Sequence, residues 1–134
     1  MRPKLTDSHV HFDAYAEDGT FDEVMERAGE AGVEYMVAIG GSSPANKLAV
    51  NLANRFDQIR AAVGYDRDLA ASEYSLKEIR ELVLNKSVVA VGETGLDYYY
   101  SKDTAAQQKK LLMDMLEIAR DALLPVVLHS RDAD

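Results

Sequence analysis

The sequence predicts an α/β protein built on a parallel sheet, and three observations support that prediction. Short apolar runs alternate with amphipathic segments along the whole 134-residue chain. The runs are rich in Val, Ile and Ala with little polar alternation, which is typical of strands buried on both faces of a parallel sheet. The amphipathic segments begin with helix-start signals. The resulting order, β-α-β-α-β-α-β-α-β, indicates parallel strands joined by helical crossovers.

The expected strands are four apolar runs and one weaker first candidate. They cover residues 3–8, 34–39, 59–63, 88–91 and 125–128. Two architectures fit this order: an open doubly wound sheet, or part of an eight-stranded β/α barrel. The dinucleotide fingerprint Gly-x-Gly-x-x-Gly is missing after the first strand, which weakens the nucleotide-binding version of the open sheet.

Four segments between the runs carry helix-start signals. They are the capping boxes at residues 20–23, 75–78 and 104–107, and the Ser43-Pro44 pair, with an N-cap before a proline at the first helical position. The first helix is expected to stop near Gly32, and Pro125 ends the last one. The expected buried face of that last helix consists of Leu112, Met115, Leu116, Ala119 and Leu123.

Composition excludes several classes of protein. The absence of cysteine excludes disulfides, thiolate metal sites and a cysteine nucleophile, so any metal must have nitrogen or oxygen ligands. With 47% hydrophobic and 28% charged residues, we expect one domain spanning 1–134. We also expect a cytoplasmic protein, since neither a signal sequence nor a membrane span is evident. The net charge of −8 argues against nonspecific binding of a phosphate backbone.

The three histidines, His9, His11 and His129, each fall at the carboxyl end of a predicted strand. Ligands bind at that edge in parallel α/β folds. Since residues two apart on a strand share a face, His9 and His11 can bind one metal ion. The alternative is that both are simply polar residues in a strand-to-loop turn.

Glu93 follows directly on the buried run 88–91. Burying an unpaired carboxylate there would lower the free energy of unfolding by several kcal/mol, so Glu93 requires a metal ion or an arginine that compensates its charge. The alternative is a turn that Glu93 caps, with Gly92 and Gly95 at positive φ and the three tyrosines 98–100 packed as an ordinary loop cluster.

His129 and Arg131 close the last predicted strand. Arg131 would lie at the same rim, where its guanidinium suits a phosphate or a carboxylate as ligand. The alternatives are a core histidine and a surface ion pair of Arg131 with Asp132 or Asp134.

Together these motifs place His9, His11, Glu93 and His129 at one mouth of the sheet. Imidazole and carboxylate ligands suit zinc, manganese, iron or magnesium. Glu93 could bridge two ions, with His9 and His11 on one and His129 on the other. Two ions about 3.5–4 Å apart can generate a hydroxide nucleophile and stabilise a leaving oxygen, so hydrolysis is the natural class of reaction.

The segments 7–13, 92–99 and 125–132, in this order, resemble the TatD family of metal-dependent hydrolases, often called TatD DNases. The resemblance implies a partial TIM-type (β/α) barrel with about five of the eight β/α units. It implies that His9 and His11 bind a first divalent ion, that Glu93 bridges as a catalytic residue, and that His129 binds a second ion, with Zn, Mn or Mg as candidates. The implied activity is exonucleolytic phosphodiester cleavage of DNA.

Two alternatives to that activity stay open. One is hydrolysis of small phosphoesters, amides or lactones with the same metals, which the acidic surface favours. The other is a non-catalytic fragment that binds metal or another subunit.

The chain departs from the family pattern in two respects. The family usually reads Gly-x-His-Pro after the third strand, but this chain has Gly64-Tyr65-Asp66-Arg67. We expect Asp66 to contact substrate, a water molecule or a metal where the family has histidine. A full barrel needs about 250 residues, so we expect a site without the ligands of the later strands, and self-association through open strand edges.

Overall fold

The structure, a computed structural model, describes residues 4–134. Its strands are β1 (Leu5–Val10), β2 (Val33–Gly41), β3 (Ile59–Tyr65), β4 (Val88–Asp97) and β5 (Val126–Arg131). Its helices are α1 (Asp13–Glu17), α2 (Phe21–Ala31), α3 (Ser43–Arg55), α4 (Leu76–Leu82) and α5 (Ala105–Ala122). Two short 3-10 turns cover Arg67–Leu69 and Lys102–Thr104.

The five strands form one sheet in the order β1-β2-β3-β4-β5, and every neighbouring pair is parallel. Parallel pairing of consecutive strands requires a crossover after each strand, and the helices supply it. The prediction of an α/β protein with a parallel sheet is therefore confirmed. All five carboxyl ends lie at one edge, where the candidate site is found.

The main core lies between the sheet and the helices. Its fully buried side chains include Ile59, Val63, Ile79, Met115 and Ile118. A smaller apolar cluster, Ile39, Ala62 and Ala90, is also buried and packs against Val37 and Val127. The central strands thus bury side chains in two separate clusters, which explains their continuous apolar sequences.

The strands extend beyond the apolar runs at their carboxyl ends. β1 runs to Val10 instead of ending at residue 8, and Pro3 of that predicted strand lies outside the described residues. β4 runs to Asp97, because its ladder with β5 continues from Thr94 opposite Leu128 to Asp97 opposite Arg131. The expectation that Glu93 follows its strand was wrong, since Glu93 lies inside β4. His129 and Arg131 close β5, as predicted.

The predicted helix starts are correct to within one residue, and the hydrogen bonds of the capping side chains differ from those expected. Ser75 is confirmed as an N-cap, since its Oγ accepts a hydrogen bond from the backbone N–H of Glu78 at 3.3 Å. In α3 the cap is Ser42, one residue before the expected Ser43, and its Oγ accepts from the N–H of Ala45. The helix thus begins one residue earlier.

The other two capping boxes lack their side-chain bond. The hydroxyl of Thr20 donates to Asp18, and that of Thr104 donates to the carbonyl of Ser101. Both helices nevertheless begin directly after these residues. The capping boxes located the helix starts although their hydroxyls bond to residues before the helix.

The expected buried face of α5 was only partly right. The residues that α5 buries are Gln108, Leu111, Met115, Ile118 and Ala119. Leu116 and Leu123 are exposed, and Leu123 is 91% exposed. The helix face that packs on the sheet is rotated relative to the predicted face, so it carries Leu111 and Ile118 instead. The helix ends before Pro125, as predicted, with Leu123 in the left-handed conformation. The five-residue α1 was not predicted, since one turn is too short for a periodic pattern.

No helix in residues 4–134 combines the length and the apolar character needed to cross a membrane.

Candidate metal centre

His9 and His11 meet Glu93 at the carboxyl edge of the sheet. The Nε2 atoms of the two imidazoles lie 3.1 Å apart, and they lie 3.5 and 3.4 Å from Oε2 of Glu93. Ligand atoms of all three residues fall within 4.8 Å of one another. Two imidazole nitrogens and a carboxylate oxygen at this spacing fit a divalent ion with nitrogen and oxygen ligands. The structure therefore places the two histidines on one face, as their spacing predicted.

Glu93 lies between the imidazoles of His9 and His11 on one side and that of His129 on the other. Its side chain is 11% exposed, and its second oxygen, Oε1, lies 3.4 Å from Nδ1 of His129. Oε2 thus faces His9 and His11, whereas Oε1 faces His129. A carboxylate that bridges two ions needs this arrangement, in which one oxygen is available to each ion.

The backbone of β4 passes close to β5 at two glycines. Gly92 and Gly95 have φ angles of +143° and +151°, which confirms the expectation of positive φ at both. A Cβ atom on Gly95 would lie 1.9 Å from the carbonyl oxygen of His129. Only glycine fits there, and the close approach of the two strands brings His129 beside Glu93.

Asp97 orients His129. Its Oδ2 lies 3.1 Å from Nε2 of His129, and its Oδ1 accepts hydrogen bonds from the N–H groups of Tyr99 and Tyr100. The bond from the Tyr100 N–H lowers the pKa of Asp97 against the effect of burial, and His129 and Arg131 lower it further. An ionised Asp97 can only accept, so the proton of a neutral His129 lies on Nε2. Its Nδ1 then presents a lone pair toward Glu93.

Gln108 of α5 fixes the backbone at Asp97. Its Oε1 accepts from the N–H of Asp97 at 2.7 Å, and its Nε2 donates to the carbonyls of Asp97 and Ser101. The side chain is fully buried. A buried amide satisfied in this way holds the end of β4 rigidly beside β5.

Arg131 pairs with Asp97. Its Nη1 lies 3.6 Å from Oδ2 of Asp97, and its guanidinium lies 5.1 Å from the centre of the Tyr100 ring. This corrects the alternative in which Arg131 pairs with Asp132 or Asp134. Arg131 does lie at the rim beside the candidate metal ligands, where its contact with substrate was predicted.

Asp66 lies apart from the three clustered ligands. It caps the turn that follows β3, where its Oδ1 accepts from the N–H of Arg67 and its Oδ2 pairs with the Arg67 guanidinium. It also lines a small cleft of about 260 Å³ together with His11 and Ser42. A contact of Asp66 with substrate stays a prediction.

Two residues near the site were not found from the sequence. Asp97 follows Glu93 by four positions and shares its face because β4 extends to Asp97, which the apolar run 88–91 did not predict. Arg67 had no signal in the sequence. Its Nε is buried without a hydrogen-bond partner and lies 3.9 Å from Oδ2 of Asp97.

Asn46 of α3 clamps the rim. Its fully buried amide accepts from the N–H groups of Gly41 and Gly64, at 3.2 and 3.1 Å, and donates to the carbonyl of Gly64 at 2.9 Å. These bonds join the ends of β2 and β3. The rim beside the candidate site is therefore held by a side chain from the helix layer.

Tyr65 and Glu78 form a second polar contact outside the candidate metal centre. The Tyr65 hydroxyl donates to Oε2 of Glu78 at 2.5 Å, and Ser43 donates to Oε1 at 2.7 Å. Burial, together with the bond to Glu78, raises the pKa of Tyr65 to about 12. All three residues line a cleft of about 460 Å³ between α3 and α4.

The sequence matches a known family over nearly its whole length. The model of the family described as TatD related DNase matches residues 6–134. An uncharacterized metal-dependent hydrolase of Bacillus subtilis (strain 168), YabD, is 35% identical over 131 residues, which cover 96% of this chain and 51% of that protein. A protein of Cronobacter sakazakii named 3'-5' ssDNA/RNA exonuclease TatD is 34% identical over 114 residues, 84% of this chain and 43% of that protein.

Solved structures show the same architecture. The crystal structure of YjjV, a TatD homolog from Escherichia coli K12, superposes with a TM-score of 0.88 at 29% identity. The match covers 98% of this chain and 52% of that one. The five strands are thus a curled half-barrel, which confirms the predicted partial barrel. The chain spans about half the length of the relatives it matches.

Proposed function

Because the chain belongs to the family of TatD-related DNases, we propose that it is a metal-dependent phosphodiesterase that cleaves DNA from a strand end. The observation that carries the proposal is the position of Glu93, whose two carboxylate oxygens face different histidines. The exonuclease name of the Cronobacter relative supports a nucleic acid as substrate.

The described residues would provide ligands for two ions. His9, His11 and Oε2 of Glu93 would hold the first, and Oε1 of Glu93 with Nδ1 of His129 would contribute to the second. Bound divalent ions would neutralise the developing charge on the phosphoryl group and lower the pKa of the attacking water. Glu93 would set the separation of the two ions, since its two carboxylate oxygens face different histidines.

Substrate contacts come from the rim. The half-exposed guanidinium of Arg131 is oriented by Asp97 and can donate two parallel hydrogen bonds to a phosphate. Asp66 and His11 line the adjoining small cleft, where Asp66 can accept a hydrogen bond from a sugar hydroxyl or a water molecule. The rim thus offers one cationic and one anionic contact beside the ion ligands.

A second candidate is hydrolysis of small phosphoesters, amides or lactones by the same ligands. The net charge of −8 favours it, because a long polyanion is repelled by an acidic surface.

The exposed Leu5 and Leu128 on the edge strands β1 and β5 support association with another chain.

The test measures metal-dependent hydrolysis of two substrates, single-stranded DNA and bis(p-nitrophenyl) phosphate. The chain is freed of metal with chelator and then assayed with Mn²⁺, beside Glu93→Gln and the matched control Glu26→Gln, which changes an exposed glutamate on α2. We expect DNA cleavage that needs Mn²⁺, is lost in Glu93→Gln and is kept in Glu26→Gln. Turnover of the small ester without DNA cleavage would favour the second candidate, and no turnover of either would contradict both.

A further inference from the structure

We propose that Tyr99, Tyr100 and Arg131 form a stacking platform for a base of a single-stranded nucleic acid, next to the candidate metal centre. The inference rests on the proposed function, and it names what the enzyme would recognise in its substrate besides phosphate. The three residues are called the aromatic platform below.

The two tyrosines are exposed. Tyr99 is 64% and Tyr100 72% exposed, whereas the preceding Tyr98 is partly buried. In the alternative of an ordinary loop cluster the tyrosines pack together, and these two rings do contact each other while both stay exposed. Burial of such rings contributes strongly to stability, so two neighbouring exposed rings contribute little to this fold and leave most of their surface open to a ligand.

The exposed rings have a defined geometry. Tyr99 and Tyr100 pack edge to face, with ring centres 4.6 Å apart and planes inclined by 86°. The Arg131 guanidinium lies 5.1 Å from the centre of the Tyr100 ring. Aromatic rings beside a cation suit a flat nucleobase that carries a phosphate, since the ring stacks on the base and the cation attracts the phosphate.

The aromatic platform and the metal centre share one anchor, Asp97. Its Oδ1 accepts from the N–H groups of Tyr99 and Tyr100, and its Oδ2 faces both Arg131 and His129. The buried carboxylate thus positions the platform and His129 through the same side chain. A nucleotide stacked on the platform would place its phosphate near the candidate metal ligands.

The test compares the affinity for two trinucleotides with identical phosphates, thymidine trinucleotide and its abasic analogue. Binding is measured by fluorescence anisotropy of a labelled strand, at low ionic strength and with EDTA present, so that no cleavage occurs. The variants are Tyr100→Ala and Tyr100→Phe. Tyr35→Ala is the control, since Tyr35 is an exposed tyrosine near the amino-terminal end of β2, at the other edge of the sheet from the candidate site.

We expect the base-carrying strand to bind more tightly than the abasic one by about 5- to 150-fold, the range typical of stacking a single base. Tyr100→Ala should abolish that preference, while Tyr100→Phe and Tyr35→Ala keep it. Equal affinity for both strands, no binding of either, or an unchanged preference in Tyr100→Ala would overturn the proposal.

A separate measurement keeps the two proposals distinguishable. Hydrolysis of the abasic trinucleotide with Mn²⁺ depends on the metal centre but not on base stacking. Cleavage of the abasic strand without any preference for bases would leave the proposed function standing and refute the aromatic platform. Base-dependent binding without hydrolysis would do the reverse.

Discussion

Replacing Asp97 by asparagine tests how His129 is held. The two side chains have the same shape, and the Oδ1 atom of asparagine still accepts from the N–H groups of Tyr99 and Tyr100. The other atom becomes an amide nitrogen that donates toward Nε2 of His129, which lies 3.1 Å from Oδ2 in the wild type. Two donors cannot face each other, so the proton of His129 must move to Nδ1. Nδ1 then donates to Glu93 and no longer offers a lone pair.

The loss should appear as weaker metal binding at one site only. Changing the group that orients a ligating histidine typically costs about 10- to 100-fold in affinity, or about 1.4 to 2.7 kcal/mol. We expect a loss of this size for the ion near His129, and little change for the ion near His9 and His11. Isothermal titration calorimetry with Mn²⁺ separates the two affinities, and Asp22→Asn on α2 serves as the exposed control.

The position of the proton gives a second measurement that does not depend on metal. Nitrogen-15 NMR of the metal-free chain distinguishes a histidine protonated on Nε2 from one protonated on Nδ1. For the neutral form of the ring, we expect Nε2–H in the wild type and Nδ1–H in Asp97→Asn. The reasoning is refuted if the wild-type His129 carries its proton on Nδ1, or if the variant binds both ions with wild-type affinity.

Three further predictions concern the scaffold. Asn46→Ala removes the hydrogen bonds that join β2 to β3 and leaves buried backbone groups without partners. It should lower the free energy of unfolding by about 2–4 kcal/mol in urea titrations. A loss under about 1 kcal/mol would contradict the role of Asn46 in joining the two strands. Gly95→Ala should lower Tm, because its Cβ would lie 1.9 Å from the His129 carbonyl oxygen, and an unchanged Tm would show that the strands can separate there. Burial and the bond to Glu78 raise the pKa of Tyr65 from 10.0 to about 12, so the stability that its protonated hydroxyl supplies is complete below pH 10 and is lost as the pH rises through 12. The wild type should therefore lose free energy of unfolding over this range more steeply than Tyr65→Phe. Parallel curves of stability against pH would contradict the bond to Glu78.

The central strands could be predicted from the sequence because both of their faces are buried. Continuous apolar runs identified β2, β3 and the first part of β4, and Ser75 located the start of α4. Helix-start residues act locally, so their signals do not depend on the rest of the fold. The carboxyl ends of β4 and β5 could not be predicted, because pairing between the strands holds polar residues such as Thr94 and His129 in extended conformation.

The candidate site was predictable where its residues belong to short motifs. The spacing of His9 and His11 placed both on one face, and the structure brings them to Glu93. The contacts of Asp97 with His129 and Arg131 depend on the register between β4 and β5, which no local pattern specifies. The same holds for Arg67, whose approach to Asp97 depends on the turn after β3.

The most direct test of the metal centre is anomalous diffraction from crystals of the chain grown with Zn²⁺. We predict a zinc peak about 2.0–2.2 Å from Nε2 of His9, Nε2 of His11 and Oε2 of Glu93. A second peak should lie between Oε1 of Glu93 and Nδ1 of His129. Crystals of the zinc-saturated chain without a peak at the three clustered ligands would contradict the account, because the histidine pair and Glu93 would then have no ion to bind.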